Sequence, residues 1–179
     1  MARRTRYRTL RKQGSDGAAL VEFAIVLPLV VLLLMGIIDF GFGLANLNSM
    51  RHGTRESARR AVVADVGDDS TCTVTGVVVS GDTQKLVCQV KDKTGLDEAK
   101  LRVKIDFDNT YAEGEALIIC TQYPLESLSG MYSSMLNGKT VNTEVQMRIE
   151  KTSDGGTDLT ILPAQEAAPI GGDWSWCNA

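Results

Sequence analysis

The chain has 179 residues, 23% of them charged and 44% hydrophobic, with a formal net charge of -3. The first 17 residues hold Arg3, Arg4, Arg6, Arg8, Arg11 and Lys12 against Asp16, so without them the chain stands at -8. An acidic exterior argues against nucleic acid as the main partner of the folded part, and the length leaves room for one small domain.

Met1 to Asp16 reads as a polar, arginine-rich leader. Beside an apolar run its charge fits the positive-inside rule, which places it in the cytoplasm. Gly17 to Asp39 follows, G-AALVEFAIVLPLVVLLLMGIID, and from Ala18 to Ile38 the only ionised residue is Glu22. At ~1.5 Å per residue this run crosses roughly 30 Å, the thickness of a bilayer core. It exceeds the ~7–15 apolar residues of a secretory signal peptide. A carboxylate inside lipid costs ~2.5 kcal/mol or more at mid-depth, so Glu22 requires a reason. Pro28 lacks an N–H and is expected to bend or loosen the helix. Gly36, Gly41 and Gly43 suit either close helix approach or a flexible membrane exit.

Beyond the span, Leu47, Met50, Thr54, Ala58, Ala61 and Val62 recur at three- and four-residue steps, one stripe of a helix. Arg51, Arg55 and Arg59 mark another face, and Glu56 is placed to reach Arg60. The helix is expected to run to about Asp65, where Gly67-Asp68-Asp69-Ser70 supplies turn chemistry.

The remainder predicts a small α+β domain. Thr71–Val79 suits a strand, and Leu86, Val87 and Val90 fit a short helix or a return strand equally. Leu101, Val103, Ile105 and Phe107 alternate with polar residues, as a half-buried strand does. Ala116–Tyr123 is nearly all apolar, which indicates a central strand stopped by Pro124. Leu125 to Leu136 reads as a short helix or ordered loop. Val141, Thr143, Val145, Met147 and Ile149 alternate with Asn142, Glu144, Gln146 and Arg148, the clearest strand pattern in the chain. From Ser153 the chain is read as a tail punctuated by Gly and Pro, with Trp174 and Trp176 packing over a disulfide.

Cys72, Cys88, Cys120 and Cys177 all follow the span, which fits two disulfides in an exported domain. Three pairings are open. Cys72–Cys88 with Cys120–Cys177 is the expected one, because the second would pin the tail. The spacing does not suit a zinc site, and the one histidine, His52, lies far from the cysteines. Asp106, Asp108, Glu113 and Glu115 lack EF-hand spacing and read as a solvated loop. Lys93-Thr94-Gly95 has no Ser-x-x-Lys partner, so no catalytic set, metal or cofactor is expected.

Gly17 and Glu22 make one chemical unit. Prepilin peptidases cut on the cytoplasmic side of such a helix, and glycine lets the chain leave helical geometry there. Cleavage would make Ala18 a cationic N-terminus and Glu22 the fifth residue, able to meet a neighbouring subunit's amine in a dry environment. The stretch G-AALVEFAIVLPLVVLLLMGIIDFG, with R-E-S-A-R-R-A at Arg55–Ala61, resembles the TadE-like pseudopilins of tight-adherence (Flp) pilus systems. The likeness is close over 14–64 and loose beyond, through Y-P-L at Tyr123–Leu125 and M-R-I-E at Met147–Glu150. It implies cleavage after Gly17, an assembly acid at Glu22 and Asp39 in the family's D/E-F-G position. Phe23 stands where major pilins carry tyrosine, pointing to the minor group; Ser57 stands where glycine is commoner.

The resulting expectation is a leader at 1–17, a transmembrane helix at 18–39 and its extracytoplasmic extension at 40–66. An α+β domain at 67–152 and a tail at 153–179 complete it. Implied partners are a prepilin peptidase, other pilin and minor pilin subunits, the inner-membrane assembly platform and membrane lipids. The protein would sit in the bacterial cytoplasmic membrane, N-terminus inside, and then in a surface pilus. The competing readings are an uncleaved single-span binding protein and a pseudopilin of a type II secretion-like system.

Overall fold

The computed structural model describes residues 15–67, 71–77, 81–108, 111–152 and 164–177. Most of the leader therefore lies outside the described residues, as do Asp68–Ser70 and much of the expected tail. The chain divides into two compact units, one ending at Ile37 and the other beginning at Ile38.

Helix α1 covers Ser15–Ala61 and contains Pro28. In the first unit its apolar side chains point outward: Leu20, Phe23, Leu29 and Leu33 are each at least 60% exposed. A soluble core helix would hide such residues, whereas a segment solvated by lipid has no need to. In the second unit α1 has one buried stripe, Asp39, Asn46, Met50, Gly53, Thr54, Ser57, Ala58 and Ala61. The helix stops at Ala61, short of the expected Asp65. There the Asp65 amide reaches back to the Arg60 carbonyl, and Ala64 and Gly67 take positive φ.

The second unit is a five-stranded antiparallel sheet in the order β1-β5-β2-β3-β4. The strands are β1 (Gly76–Val77), β2 (Arg102–Phe107), β3 (Ala116–Pro124), β4 (Thr140–Arg148) and β5 (Ala164–Glu166). The α+β class is thus the one the sequence indicates, and β2, β3 and β4 fall on the three alternating or apolar runs. Two expectations are corrected. Within 71–77 only Gly76–Val77 is strand, not the whole run from Thr71. The segment read as tail supplies β5, which slots between β1 and β2; a three-residue strand is too short to show periodicity.

The ambiguous apolar cluster at Leu86 is helix α2, Asp82–Thr94, closed by Gly95 in the left-handed region at φ 63°. Its Leu86, Val87 and Val90 pack with Met50, Ala58, Ala61, Val103, Ile105, Leu117, Ile119 and Val145 in the main core. Gly53 permits this packing, because a Cβ there would lie 2.6 Å from the Lys93 carbonyl carbon. A one-turn helix, α3 (Ser133–Leu136), sits in the β3–β4 connection.

β3 is buried on both faces. Leu117, Ile119 and Tyr123 enter the main core, while Ile118 and Cys120 face a second cluster with Cys177, Trp174 and Trp176. Disulfides join Cys72 to Cys88 and Cys120 to Cys177, with Cα–Cα distances of 5.3 and 6.0 Å.

Candidate functional site

At the start of α1, Gly17, Ala18, Glu22 and Phe23 are exposed. A Cβ added at Gly17 would meet nothing within 4 Å. No described residue forms an ion pair with Glu22. Within one chain this carboxylate therefore stands on an outward-facing apolar helix, close in sequence to Gly17 and Phe23 and remote in sequence from the cysteines. Pro28 falls within the same exposed stretch.

At the head of the second unit, Asp39 is buried, 2% exposed, and saturated with hydrogen bonds. Its Oδ1 accepts from the Leu128 and Ser129 amides, both at 3.0 Å. Its Oδ2 accepts from the Ser127 hydroxyl at 2.6 Å and the Ser129 hydroxyl at 2.8 Å. Four donors on one carboxylate fix its orientation and offset its desolvation. They also clamp the β3–β4 connection to α1. Phe40 tilts against Tyr132 one residue further on, with ring centroids 6.3 Å apart.

Further along α1, Arg51, Arg55 and Arg59 are exposed, and Arg60 pairs with Glu56 at 3.0 Å. On the opposite side Thr54 meets Thr121 through their hydroxyls, 3.3 Å apart. Ser57 is fully buried among neighbours that give its hydroxyl no partner, so this position selects for small size rather than polarity.

A buried ion pair ties β5 into the domain. Lys91 Nζ donates to Glu166 Oε1 at 2.8 Å and to the carbonyls of Thr73 and Glu98. Glu166 also accepts from the Thr75 and Val103 amides, each at 2.8 Å. Burial lowers the Lys91 pKa, and Glu166 partly restores it by hydrogen bond and charge. Every polar atom here is engaged within the chain, which makes the pair a strut rather than a reactive centre.

Sequence reasoning missed both clusters. Lys91 leaves a detectable mark, since it interrupts the apolar stripe of α2 between Val87, Val90 and Thr94. A lone cation on a buried face signals a buried partner, though not which one. Asp39 leaves a fainter one, a carboxylate directly after the apolar run. Among the described residues no three His, Cys, Asp or Glu side chains are grouped to hold a metal ion.

Compared with known proteins, residues 17–59 match the family model described as TadE-like protein. No curated protein and no solved structure matches the chain. The matched segment holds Gly17, Glu22, Asp39 and the arginine ridge, the features described above on α1. Over these residues, 17–59, the chain is similar to TadE-like proteins.

Proposed function

We propose that the chain is a minor pilin of a tight-adherence pilus, cut after Gly17 by a prepilin peptidase and assembled through Glu22. One observation carries this reading: the apolar stretch 18–38 of the family-matched helix exposes its large side chains and bears a single carboxylate, Glu22, just after Gly17. Exposed apolar area of this extent needs lipid around it, and later neighbouring helices. Cleavage makes Ala18 the new amine, and an ammonium from one subunit meets Glu22 of the next. Each charge is costly alone in a dry interior and far less so when paired, so the contact sets register between subunits. The role is structural rather than catalytic.

The partners in this reading are the peptidase, the other pilin and minor pilin subunits, the inner-membrane assembly platform and lipids. The second unit lies outside the cytoplasmic membrane and later on the cell surface. N-terminal sequencing of membrane-extracted protein tests the cut, which should begin Ala-Ala-Leu-Val-Glu. A start at Met1 in cells with active peptidase would leave an uncleaved anchor instead. Glu22→Ala should be processed and inserted yet missing from sheared pili; normal incorporation would remove the pairing role.

A further inference from the structure

The connection between β3 and β4 holds a run without a single ionised residue, S-L-S-G-M-Y-S-S-M-L-N-G from Ser127 to Gly138, in a chain that is 23% charged. Its path along α1 is defined. Leu125 lies 3.1 Å from where a Cβ on Gly43 would stand, and one turn nearer the N-terminus Ser127, Leu128 and Ser129 bind Asp39. The connection thus descends the helix to Asp39, the residue at which the uncharged run ends. Leu128, Met131 and Met135 are 66%, 55% and 64% exposed. Among the described residues of the second unit, all the large exposed hydrophobics but Val63 and Ile170 lie in this connection or on residues 38–44 of α1.

We propose that this loop is a membrane foot. Leu128, Met131 and Met135 enter the outer headgroup and upper acyl region of the bilayer that holds residues 18–38, with Tyr132 and Phe40 at the interface. Three points favour lipid over a protein partner as the occupant. The clamp sets the loop at the level where the sequence leaves hydrocarbon. The run has no charge to desolvate. Tyrosine and phenylalanine beside exposed leucine and methionine match what an interface accepts. The proposal rests on α1 being a membrane anchor; it does not depend on cleavage or on Glu22. Its consequence is that extraction into a filament lifts the foot as well as the span.

Brominated lipid tests this in the full chain, reconstituted in phosphatidylcholine vesicles with bromine near the headgroup end of the acyl chains. With Trp174 and Trp176 replaced by phenylalanine, single tryptophans are placed by Leu128→Trp, by Leu33→Trp within the span, and by Lys151→Trp. The Lys151 amide bonds the Val62 carbonyl beyond the far end of α1. Leu128→Trp should emit to the blue of Lys151→Trp and be quenched at least half as strongly as Leu33→Trp. Strong quenching of Leu33→Trp, with Leu128→Trp no more quenched than Lys151→Trp, would overturn the foot and leave the anchor intact. A blue-shifted but unquenched Leu128→Trp would assign the surface to protein and also overturn it. An unquenched Leu33→Trp would remove anchor and foot together. The unaltered chain gives a second readout: a hydrocarbon-partitioning aryl azide should label the peptide spanning 125–139 as well as the span, and labelling of the span alone would refute the proposal.

Discussion

Asp39 and Ser129 meet twice: the serine amide donates to Oδ1 at 3.0 Å and its hydroxyl to Oδ2 at 2.8 Å. With Ser127 and Leu128 completing the set, one side chain on α1 holds a loop about 90 residues away in sequence. Asp39→Ala should free that loop while leaving the sheet folded. The expected result is loss of slow hydrogen exchange at the Leu128 and Ser129 amides and faster proteolysis between 127 and 136. Asp39→Asn should fall between, because a single amide oxygen cannot serve four donors. Unchanged protection in Asp39→Ala would show that the carboxylate is incidental to the loop.

Lys91 and Glu166 are fully buried, and each is satisfied only by the other and by backbone groups. Lys91→Met leaves Glu166 as an uncompensated buried charge, a change worth about 3–5 kcal/mol. Adding Glu166→Gln should recover part of that loss, because the charge is gone while an acceptor remains. Urea unfolding of the four members of the cycle measures the coupling. Additive losses would mean that the two groups act independently.

The two disulfides close loops of different length, with sequence separations of 16 and 57. In the chain-entropy treatment the longer loop contributes about 1 kcal/mol more, within the usual ~2–5 kcal/mol for a native bridge. Cys120→Ser/Cys177→Ser should therefore destabilise more than Cys72→Ser/Cys88→Ser. It should also shift tryptophan emission to the red, since Trp174 and Trp176 pack against this bridge. Equal losses, with no spectral change, would argue that the C-terminal segment is held by other contacts.

Burial raises the phenol pKa of Tyr111 and of Tyr123 above the ordinary 10.0. At pH values between that and the folded pKa, the unfolded chain has released protons that the folded chain retains, so stability falls as pH climbs. Tyr111→Phe/Tyr123→Phe should lose less stability than the parent across this alkaline range. Lys91, whose pKa burial lowers, acts in the opposite sense, so variant and parent must be compared directly. Parallel curves would show that neither phenol contributes.

The sequence carried what depends on neighbours along the chain. Helical spacing marked Met50, Thr54, Ala58 and Ala61 as the buried stripe of α1, and two-residue alternation marked β2 and β4 with their inward side chains. The apolar run and the unusual acid at Glu22 were visible there too, since a charge is conspicuous wherever composition forbids it. Tertiary structure alone decided the rest. Three cysteine pairings were open until folding brought the Cα atoms of two pairs to 5.3 and 6.0 Å. β5 is three residues long and exists because β1 and β2 leave a slot between them. Asp39 and Lys91 looked like isolated charges, because their partners at Ser127–Ser129 and Glu166 come from distant parts of the chain. Periodicity reports which way a side chain points; what it meets depends on how remote segments pack.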